Sequence, residues 1–454
     1  MIDFKTLTKP YEESAVKSLQ RLVQSNSVYD EKTVTADHPY GLGVHDSLQI
    51  VYKMAHKDGF NVAYIDGRLT EITFGEGEKE IGIFAHADVV PATGNWDYPP
   101  FSGTIKDGYM ISRGTSDDKG PLIAAYYALK ALKENDLIKG YKVRMVVGGD
   151  EERGSSCMHH YFHTLKKPAV TYGFTPDAEF PLIYGEKGIT NYISKKEIDL
   201  HPLISLKGGK AANSVIDELN MVIIRDDSFI DTLEAMKLKY VYKNVDGLAH
   251  ITIFGKSAHG STPELGFNAG LAAIAALGSH YGNGFLSNLA ESYQDTKGRN
   301  LDAYYYYSEL LGESSYNIGL ISYENKQLEF VTNFRHPETV NLKAHLQHVA
   351  QMTDMDVKSR SSSKPLVFDP KSPFIQKLLK VYQDETGDLE SKPMAIGGGT
   401  YAKECPNTVA FGSAFKGRDG SIHQANEHVL LSDIYAQMSI YAHAIYALGV
   451  ELCE

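Results

Sequence analysis

The chain has 454 residues, of which 43% are apolar and 22% charged, and its formal net charge is −12. This length allows about two or three domains, and the ordinary composition excludes a disordered or collagen-like chain. The acidic balance, without a basic block, argues against nucleic acid or an anionic membrane as a partner. No apolar stretch reaches the roughly 18 residues of a membrane span. The first residues lack the basic and apolar parts of a signal peptide, so we expect none.

Cysteine usage indicates the compartment. Cys157, Cys405 and Cys453 are odd in number and far apart in the sequence. This spacing argues against a disulfide framework and is typical of proteins in a reducing compartment. We therefore predict a cytoplasmic protein.

The first third of the chain alternates helical and strand-like patterns. Apolar residues at helical spacing predict helices near 15–23 and 44–54, and Gly59 is a plausible C′ residue of the second helix. Asp66-Gly67, between two strand-like runs, predicts a hairpin. The following patterns predict, in chain order, a strand at 81–90, a helix at 121–134, a strand at 143–147, a helix at 155–165 and a strand at 170–174. This alternation indicates an α/β fold with a mostly parallel sheet covered by helices.

After about residue 187 the pattern becomes that of an α+β unit. The predicted elements are strands at 192–198, 249–254, 317–322 and 328–334 and helices at 227–238, 268–281 and 342–352. The polar segment 359–363 is typical of a linker. Beyond it, strands and helices alternate again, and the chain closes with a long amphipathic helix. The sequence therefore predicts a discontinuous α/β domain, residues 1–187 and 364–454, with a second domain inserted at 188–363.

Five short segments concentrate side chains that can bind metals or move protons. In the first, His86 and Asp88 are two residues apart at the end of a predicted strand, so their side chains point to the same face. Open α/β sheets place their sites at this edge. A carboxylate beside a histidine can fix the tautomer of a metal-binding imidazole. A surface His–Asp pair is the alternative for this segment alone.

The other segments supply carboxylates and a second histidine. Asp117 precedes a predicted helix, where a simple N-cap is the alternative. Glu151 and Glu152 follow one strand and Asp177 follows another, where solvated acids are the alternative. Two adjacent carboxylates can take two roles, one on a metal and one holding a proton, when their surroundings separate their proton affinities. His423 lies in the C-terminal segment.

Taken together, these segments indicate a metal centre. His86, Asp117, Glu152, Asp177 and His423 offer two imidazoles and three carboxylates, which suit zinc, or else manganese or cobalt. Three carboxylates only partly neutralise two divalent cations, so the pair stays Lewis-acidic. Two metals that share a carboxylate and a water are a known device for hydrolysing an amide.

The same segments resemble the motifs of a known family. They are HADVVP (86–91), RGTSDDKGP (113–121), GDEE (149–152), PDAEFP (176–181), GKSAHGSTPE (255–264) and HQANE (423–427). These motifs are similar to those of the aminoacylase/carboxypeptidase-G-type di-zinc metallopeptidases, and most of all to the bacterial dipeptidase V branch (PepV-like, carnosinase-type). The resemblance runs nearly end to end in the same motif order, and it implies a di-metal peptidase domain with an inserted lid.

The resemblance implies a ligand set for two divalent metal ions per chain. His86 and Asp177 would complete the shell of one metal, and Glu152 and His423 that of the other. Asp117 would bridge the two metals. The peptide that follows Asp117 is expected to be cis.

The resemblance also implies the remaining roles. Asp88 would orient the first histidine, and Glu151 would be the general base that activates a water bridging the metals. His259 would stabilise the oxyanion. Asn213 (in KAANS) and Arg335 (in NFRHPE) would hold the substrate carboxylate, although the family's Arg-Tyr-Pro is Arg-His-Pro here. The long insert stands in for the partner subunit of dimeric relatives, so we expect a monomer whose His259 serves its own metals.

A further pair of histidines lies outside these motifs. His159 and His163 are four residues apart on a predicted helix, and this spacing could bind a metal. No strand-end carboxylate accompanies them in the sequence. We therefore favour a solvated or packed helix face.

The predicted activity is hydrolysis of small unblocked dipeptides. An N-acyl or N-succinyl amino-acid amidohydrolase with the same metal site is the alternative, because both enzymes cleave an amide next to a free carboxylate. The long insert favours the dipeptidase. A non-catalytic binding protein would have lost the base or a ligand, and all are present. A metallophosphoesterase would need a Gly-Asn-His-Asp/Glu segment, which the sequence lacks.

Overall fold

The computed structural model describes residues 2–299 and 305–451. Among these residues, no helix is long and apolar enough to cross a membrane. Cys157 and Cys405 are buried free thiols. The third cysteine, Cys453, lies outside the described residues.

Apart from the one predicted at 155–165, the helices whose bounds were predicted begin and end within three residues of those bounds. In chain order the helices are α1 (Phe4–Thr8), α2 (Glu12–Val23), α3 (Leu42–Lys57), α4 (Lys119–Glu134), α5 (Ser156–His159), α6 (Asp227–Ala235), α7 (Ala269–His280), α8 (Gly284–Ser292), α9 (Leu342–Thr353), α10 (Pro373–Thr386) and α11 (Leu431–Tyr446). Short 3₁₀ turns lie at Lys9–Tyr11, Glu31–Thr33, Pro263–Leu265 and Tyr401–Lys403, and π-helical turns at His160–Thr164 and Ala447–Glu451.

The strands follow the same order. They are β1 (Asn61–Ile65), β2 (Leu69–Gly75), β3 (Lys79–His86), β4 (Thr104–Lys106), β5 (Tyr109–Ile111), β6 (Tyr141–Gly148), β7 (Tyr172–Thr175), β8 (Ala178–Glu179), β9 (Ile183–Glu186), β10 (Gly188–Glu197), β11 (Leu203–Gly208), β12 (Glu218–Ile224), β13 (Lys239–Val245), β14 (Leu248–Phe254), β15 (Tyr307–Ser308), β16 (Gly312–Glu313), β17 (Ser315–Glu324), β18 (Gln327–His336), β19 (Asp356–Ser363), β20 (Leu366–Val367), β21 (Met394–Ile396), β22 (Thr408–Ala410), β23 (Ser413–Ala414) and β24 (His428–Leu430).

The chain divides into two compact units. The first contains the residues up to Tyr184, Phe368–Met394 and the residues from Thr400 on, and the second contains Gly185–Val367 and Ala395–Gly399. The boundaries predicted from sequence, 188 and 363, lie within four residues of these. The placement of Ala395–Gly399 in the second unit was not predicted.

The first unit is built on a mixed sheet in the order β1-β2-β6-β3-β7-β22-β9. Its central strands β6, β3, β7 and β22 are parallel, which confirms the predicted α/β fold. The hairpin between β1 and β2 turns through Asp66 and Gly67, both with positive φ (48° and 68°). Apolar side chains of β3, β6, α4 and α11 lie together in one buried core.

The second unit is an antiparallel sheet with helices. Its strand order is β13-β14-β12-β11-β17-β18-β10-β19, and a separate buried core joins these strands to α6, α7, α8 and α9. Polar side chains start several of its helices: Asn268 accepts hydrogen bonds from the amides of Gly270 and Leu271 at the N-terminus of α7.

Two sequence predictions were wrong in detail. The polar segment 359–363, predicted as a linker, is part of β19, which pairs antiparallel with β10. Most of the β19 side chains are exposed, so this edge strand does not need alternating apolar residues. Such alternation is the sequence signal by which strands are predicted, and for that reason β19 was missed. The predicted helix at 155–165 is a single α-helical turn followed by a π-helical turn, His160–Thr164.

Candidate metal centre

Parallel strands bring the predicted ligands to one edge of the sheet in the first unit. His86 is the last residue of β3 and lies opposite Gly148, the last residue of β6. Glu151 and Glu152 follow β6 directly, and Asp177 follows β7 by two residues. Because parallel strands end on the same side, three chain segments far apart in sequence meet at this edge.

The hydrogen bonding of His86 fixes its tautomer. Nδ1 lies 3.0 Å from the backbone carbonyl oxygen of Asp88, which can only accept, so Nδ1 carries the hydrogen. Nε2 of the same ring faces Oδ1 of Asp117, 2.9 Å away. The Asp88 carboxylate itself is farther from the ring, 3.5 Å from Nδ1. Asp88 therefore orients the imidazole mainly through its main chain.

Asp117 lies between the two histidines. Its Oδ1 is 2.9 Å from Nε2 of His86, and its Oδ2 is 2.9 Å from Nε2 of His423. The same nitrogen of His423 is 3.1 Å from Oε1 of Glu152. Oδ2 of Asp177 lies 3.8 Å from Nε2 of His86. The Asp117–Asp118 peptide is cis, as the resemblance implied.

The Asp88 carboxylate fixes the loop that carries the two adjacent glutamates. Its Oδ1 accepts a hydrogen bond from the amide of Glu151 (3.1 Å), and its Oδ2 accepts one from the amide of Glu152 (3.2 Å). Ligand atoms of Glu151, His86 and Asp177 lie within 4.8 Å of one another. The same holds for Glu152 with His86 and Asp117. Both glutamates are therefore within reach of a cation, and distance alone does not assign their roles.

Burial and negative charge control the pKa values of these groups. Burial raises the pKa of Glu151 well above its usual range, and the charge of Asp177 adds to this. Burial would also raise the pKa of Asp117, but hydrogen bonds from His423 and His86 hold it below its usual range. Burial would lower the pKa of His423, yet its hydrogen bonds with Asp117 and Glu152 raise it to about 11. The carboxylates of this cluster therefore stabilise a positive charge placed between them, whether it is a protonated histidine or a cation.

The donor set fits divalent cations. Nε2 of His86 and Oδ1 of Asp117 are only 2.9 Å apart, a distance at which a proton or a cation must lie between them. Imidazole nitrogens and carboxylate oxygens are common ligands of zinc. Because each oxygen of Asp117 faces a different imidazole, this carboxylate has the geometry to bridge two cations.

Two residues not assigned from the sequence hold Asp117 in place. Glu427 is fully buried; its Oε1 accepts hydrogen bonds from the amides of Ser116 (2.9 Å) and Asp117 (3.2 Å). Its Oε2 accepts a hydrogen bond from Nη1 of Arg113, 2.6 Å away and also buried. Arg113 lies in RGTSDDKGP and Glu427 in HQANE, two motifs that also carry predicted ligands. Their presence there was the one sequence signal that could have indicated a role in positioning a ligand.

Asp118 is a further residue that the sequence analysis left without a role. It is fully buried, and its Oδ2 accepts a hydrogen bond from the amide of His86 at 3.0 Å. It thereby joins the start of α4 to the end of β3.

The predicted substrate-binding residues lie together in the second unit. Ser214 and His259 form an isolated β-bridge, and the carbonyl of Asn213 accepts a hydrogen bond from the amide of Gly260 at 2.7 Å. A Cβ on Gly260 would lie 2.8 Å from Oδ1 of Asn333 and 3.1 Å from the Asn213 backbone. This close approach favours glycine, because a Cβ would displace the Asn333 side chain.

Two more contacts orient the polar side chains of this group. The Ser261 amide donates to Nδ1 of His259 at 3.4 Å, so Nε2 carries the ring hydrogen of a neutral His259. Arg335 is buried, and its guanidinium donates to Oδ1 of Asn333 (2.8 Å) and to the carbonyl of Gly397 (2.6 Å). Burial lowers the pKa of Arg335 to about 10.

Comparison with known proteins identifies the family. Residues 82–447 match the model of peptidase family M20/M25/M40. The chain belongs to this family. It is therefore a metal-dependent peptidase, and the imidazoles and carboxylates described above are its candidate metal-binding groups.

Individual relatives cover the whole chain. A Staphylococcus aureus (strain MW2) protein with a provisional dipeptidase name is 33% identical over 474 residues, covering 99% of this chain and 100% of that protein. Among solved structures, the M20 family metallo-carboxypeptidase Sso-CP2 from Sulfolobus solfataricus has a TM-score of 0.60 at 14% identity and covers 96% of this chain and 99% of that chain. The di-peptidase Dug1p from Saccharomyces cerevisiae has a TM-score of 0.59 at 15% identity, with 98% of each chain covered. At these identities the two structures show the shared fold alone.

Proposed function

We propose that this protein is a dipeptidase of the PepV-like branch that hydrolyses unblocked dipeptides with the help of two divalent cations. The observation that carries the proposal is the position of Asp117, whose two carboxylate oxygens each lie 2.9 Å from a different imidazole nitrogen. The full-length similarity to a relative with a dipeptidase name supports the substrate class.

In this proposal the predicted ligands divide between the two cations. His86 and Asp177 would hold one, Glu152 and His423 the other, and Asp117 both. The mixed nitrogen and oxygen donors suit zinc first, with manganese or cobalt as alternatives. The cations would supply Lewis acidity, which polarises the peptide carbonyl and makes a water more acidic.

Glu151 is the proposed general base. It lies beside His86 and Asp177, and its main chain is fixed by Asp88. Its carboxylate would take a proton from the attacking water and pass that proton to the amine of the leaving amino acid. General acid–base transfer of this kind contributes roughly 10²–10⁴-fold to rate.

The residues of the second unit are proposed to act on the substrate. His259, with its hydrogen on Nε2, would donate to the oxygen that becomes negative in the transition state. Arg335 and Asn213 would hold the substrate carboxylate. The contacts of Arg335 with Asn333 and Gly397 support a fixed cationic anchor, and a fixed anchor favours substrates of a single length.

A monomer in the cytoplasm is part of the proposal. The large second unit supports the monomer, because it would stand in for a partner subunit. The buried free thiols of Cys157 and Cys405 support a reducing compartment.

Mixing inactive Glu151→Ala chains with inactive His259→Ala chains tests whether each chain serves its own site. The mixture should stay inactive, and recovered activity would contradict the monomer.

A substrate panel tests the activity itself. The purified protein, loaded with zinc, manganese or cobalt in turn, is given dipeptides with a free amine, their N-acetyl and N-succinyl analogues, and tripeptides. We expect release of amino acids from the unblocked dipeptides alone. Preferred cleavage of the N-acyl compounds would favour the amidohydrolase, and Glu151→Gln protein serves as the matched inactive control.

A further inference from the structure

A second group of metal-binding side chains lies on the surface of the first unit, outside the metal centre. His159 ends α5, His163 lies in the following π-helical turn, and Glu404 follows the 3₁₀ turn Tyr401–Lys403. The two imidazole rings are 4.6 Å apart between centroids, with an interplanar angle of 34°. One nitrogen of each ring and one oxygen of Glu404 lie within 4.8 Å of one another. From the sequence we favoured a solvated or packed helix face, because no strand-end carboxylate accompanies the two histidines.

The distances are close to those of a zinc site. Nδ1 of His159 lies 3.6 Å and Nε2 of His163 3.8 Å from the same atom, Oε2 of Glu404. Metal–ligand bonds of roughly 2.0–2.2 Å at a tetrahedral angle separate neighbouring ligand atoms by about 3.3–3.5 Å. A shift of a few tenths of an ångström in exposed side chains would close the site.

A simple charge pair explains this arrangement less well. Both imidazoles approach the same oxygen of Glu404, and two protonated rings this close would repel each other. A neutral ring brings no charge to the carboxylate, so at most one of the two rings can pair with Glu404 as a cation at any time. A divalent cation accepts a lone pair from both rings and from the carboxylate at once.

We propose that His159, His163 and Glu404 form a second divalent-cation site of the zinc type, separate from the proposed catalytic centre. Imidazole and carboxylate donors favour Zn²⁺ over Mg²⁺ or Ca²⁺. The two histidine side chains are 64% and 55% exposed, so a water can occupy the fourth position. The inference does not depend on the peptidase activity.

The site would join two segments that already contact each other near the metal centre. The helix of His159 also carries Cys157, whose Sγ lies 3.0 Å from the hydroxyl of Tyr401. Tyr401 is three residues before Glu404, and its ring packs edge-on against His86 at 6.2 Å between centroids. A cation bound by the native chain but not by the unfolded chain raises the unfolding temperature.

Zinc titration of the holoenzyme tests the proposal. Protein whose catalytic centre is already saturated is dialysed against a series of free Zn²⁺ concentrations, and bound zinc is measured by elemental analysis. We expect the wild type to bind one more equivalent than the double variant His159→Gln/His163→Gln and to gain in unfolding temperature where the variant does not. Equal zinc binding by the two proteins would overturn the proposal.

Two single variants sharpen the test. His160→Gln is the matched control, because His160 lies between the two proposed ligands, at the start of the π-helical turn, but contacts Asp66, 2.8 Å away; it should keep the extra equivalent. Glu404→Gln should weaken the binding of that equivalent at least tenfold, and unchanged affinity would overturn the three-ligand site. The wild type alone gives an independent readout: Cu²⁺ added to protein in which zinc fills only the catalytic centre should show two coordinated imidazole nitrogens by electron paramagnetic resonance, and fewer than two would contradict the proposal.

Discussion

The metal centre and the group His159, His163 and Glu404 present similar donors in different surroundings. In the centre, His86 is fully buried, and the backbone carbonyl of Asp88 fixes its ring. In the surface group, His159 is 64% exposed, and its Nδ1 faces Oε2 of Glu404 at 3.6 Å. The donor atoms therefore indicate where a cation binds. Burial, surplus carboxylates and supporting hydrogen bonds indicate where it takes part in catalysis.

The largest expected effect separates the two adjacent glutamates of the metal centre. Glu151→Gln should lower kcat by about 10²–10⁴-fold while both metals stay bound, because the proposed base is lost but no ligand is. Glu152→Gln should lose activity together with metal. Steady-state kinetics and elemental analysis of both variants measure this.

Both variants are needed because Glu151 and Glu152 each lie within reach of a cation bound to His86. Equal metal loss in the two variants would mean that the roles are reversed or shared. Asp150→Asn is a control in the same loop, because the Asp150 carboxylate contacts Ser156.

His259→Ala should have the next largest effect. Loss of one oxyanion donor costs about 10²–10³-fold in kcat, and metal content should be unchanged because His259 lies in the second unit with Asn213 and Ser261. Loss of metal in this variant would contradict the assigned role. His250→Ala on β14 is a control for general damage to the second unit.

Glu427→Gln tests whether hydrogen bonds that position a ligand strengthen metal binding. Glu427 holds Asp117 in this way in the metal centre, and no such residue is identified in the surface group among the residues that the structure describes. The neutral amide would bring an N–H₂ group against the amides of Ser116 and Asp117 or against Arg113, all of which are donors. We expect metal affinity to fall about 10–100-fold, as for other groups that position a ligand. Competition with a chelator measures the affinity.

A matched variant distinguishes this effect from lost stability. Glu80→Gln also breaks a buried pair, in which Arg144 donates to Glu80 at 2.7 Å, and such losses cost about 3–5 kcal/mol. Both variants should have lower unfolding temperatures, but the Glu80 variant should keep its metal affinity. If both variants bound metal equally weakly, the effect would come from lost stability, and the proposal that Glu427 positions Asp117 for metal binding would be wrong.

The smallest expected effect is that of the surface group on catalysis. His159→Gln/His163→Gln should leave kcat/KM unchanged when the catalytic centre is saturated, because neither histidine belongs to that centre. Progress curves on a dipeptide at fixed free metal measure this. A large loss of activity would show that the two groups are not independent.

Sequence patterns predicted the elements and the ligand types because both are local signals. The acids after β6 and β7 and the place of His86 on β3 follow from strand periodicity and motif spacing, but β3 ends at His86, whereas the predicted strand ran from 81 to 90. The support given by Glu427 to Asp117 joins residues 310 apart, and the approach of Glu404 to His159 joins α5 to the end of a distant turn. Such contacts arise from tertiary packing, so local spacing could not reveal them. Strand β19 was missed for a related reason, since its polar side chains carry no burial pattern.

Anomalous X-ray diffraction at the metal absorption edge, from crystals of the metal-loaded protein, tests the central claim most directly. The account predicts two peaks on either side of the Asp117 carboxylate. One peak would be bound by His86 and Asp177 and the other by Glu152 and His423, and Glu151 would bind neither. A single peak at this position, or Glu151 among the ligands, would contradict the account.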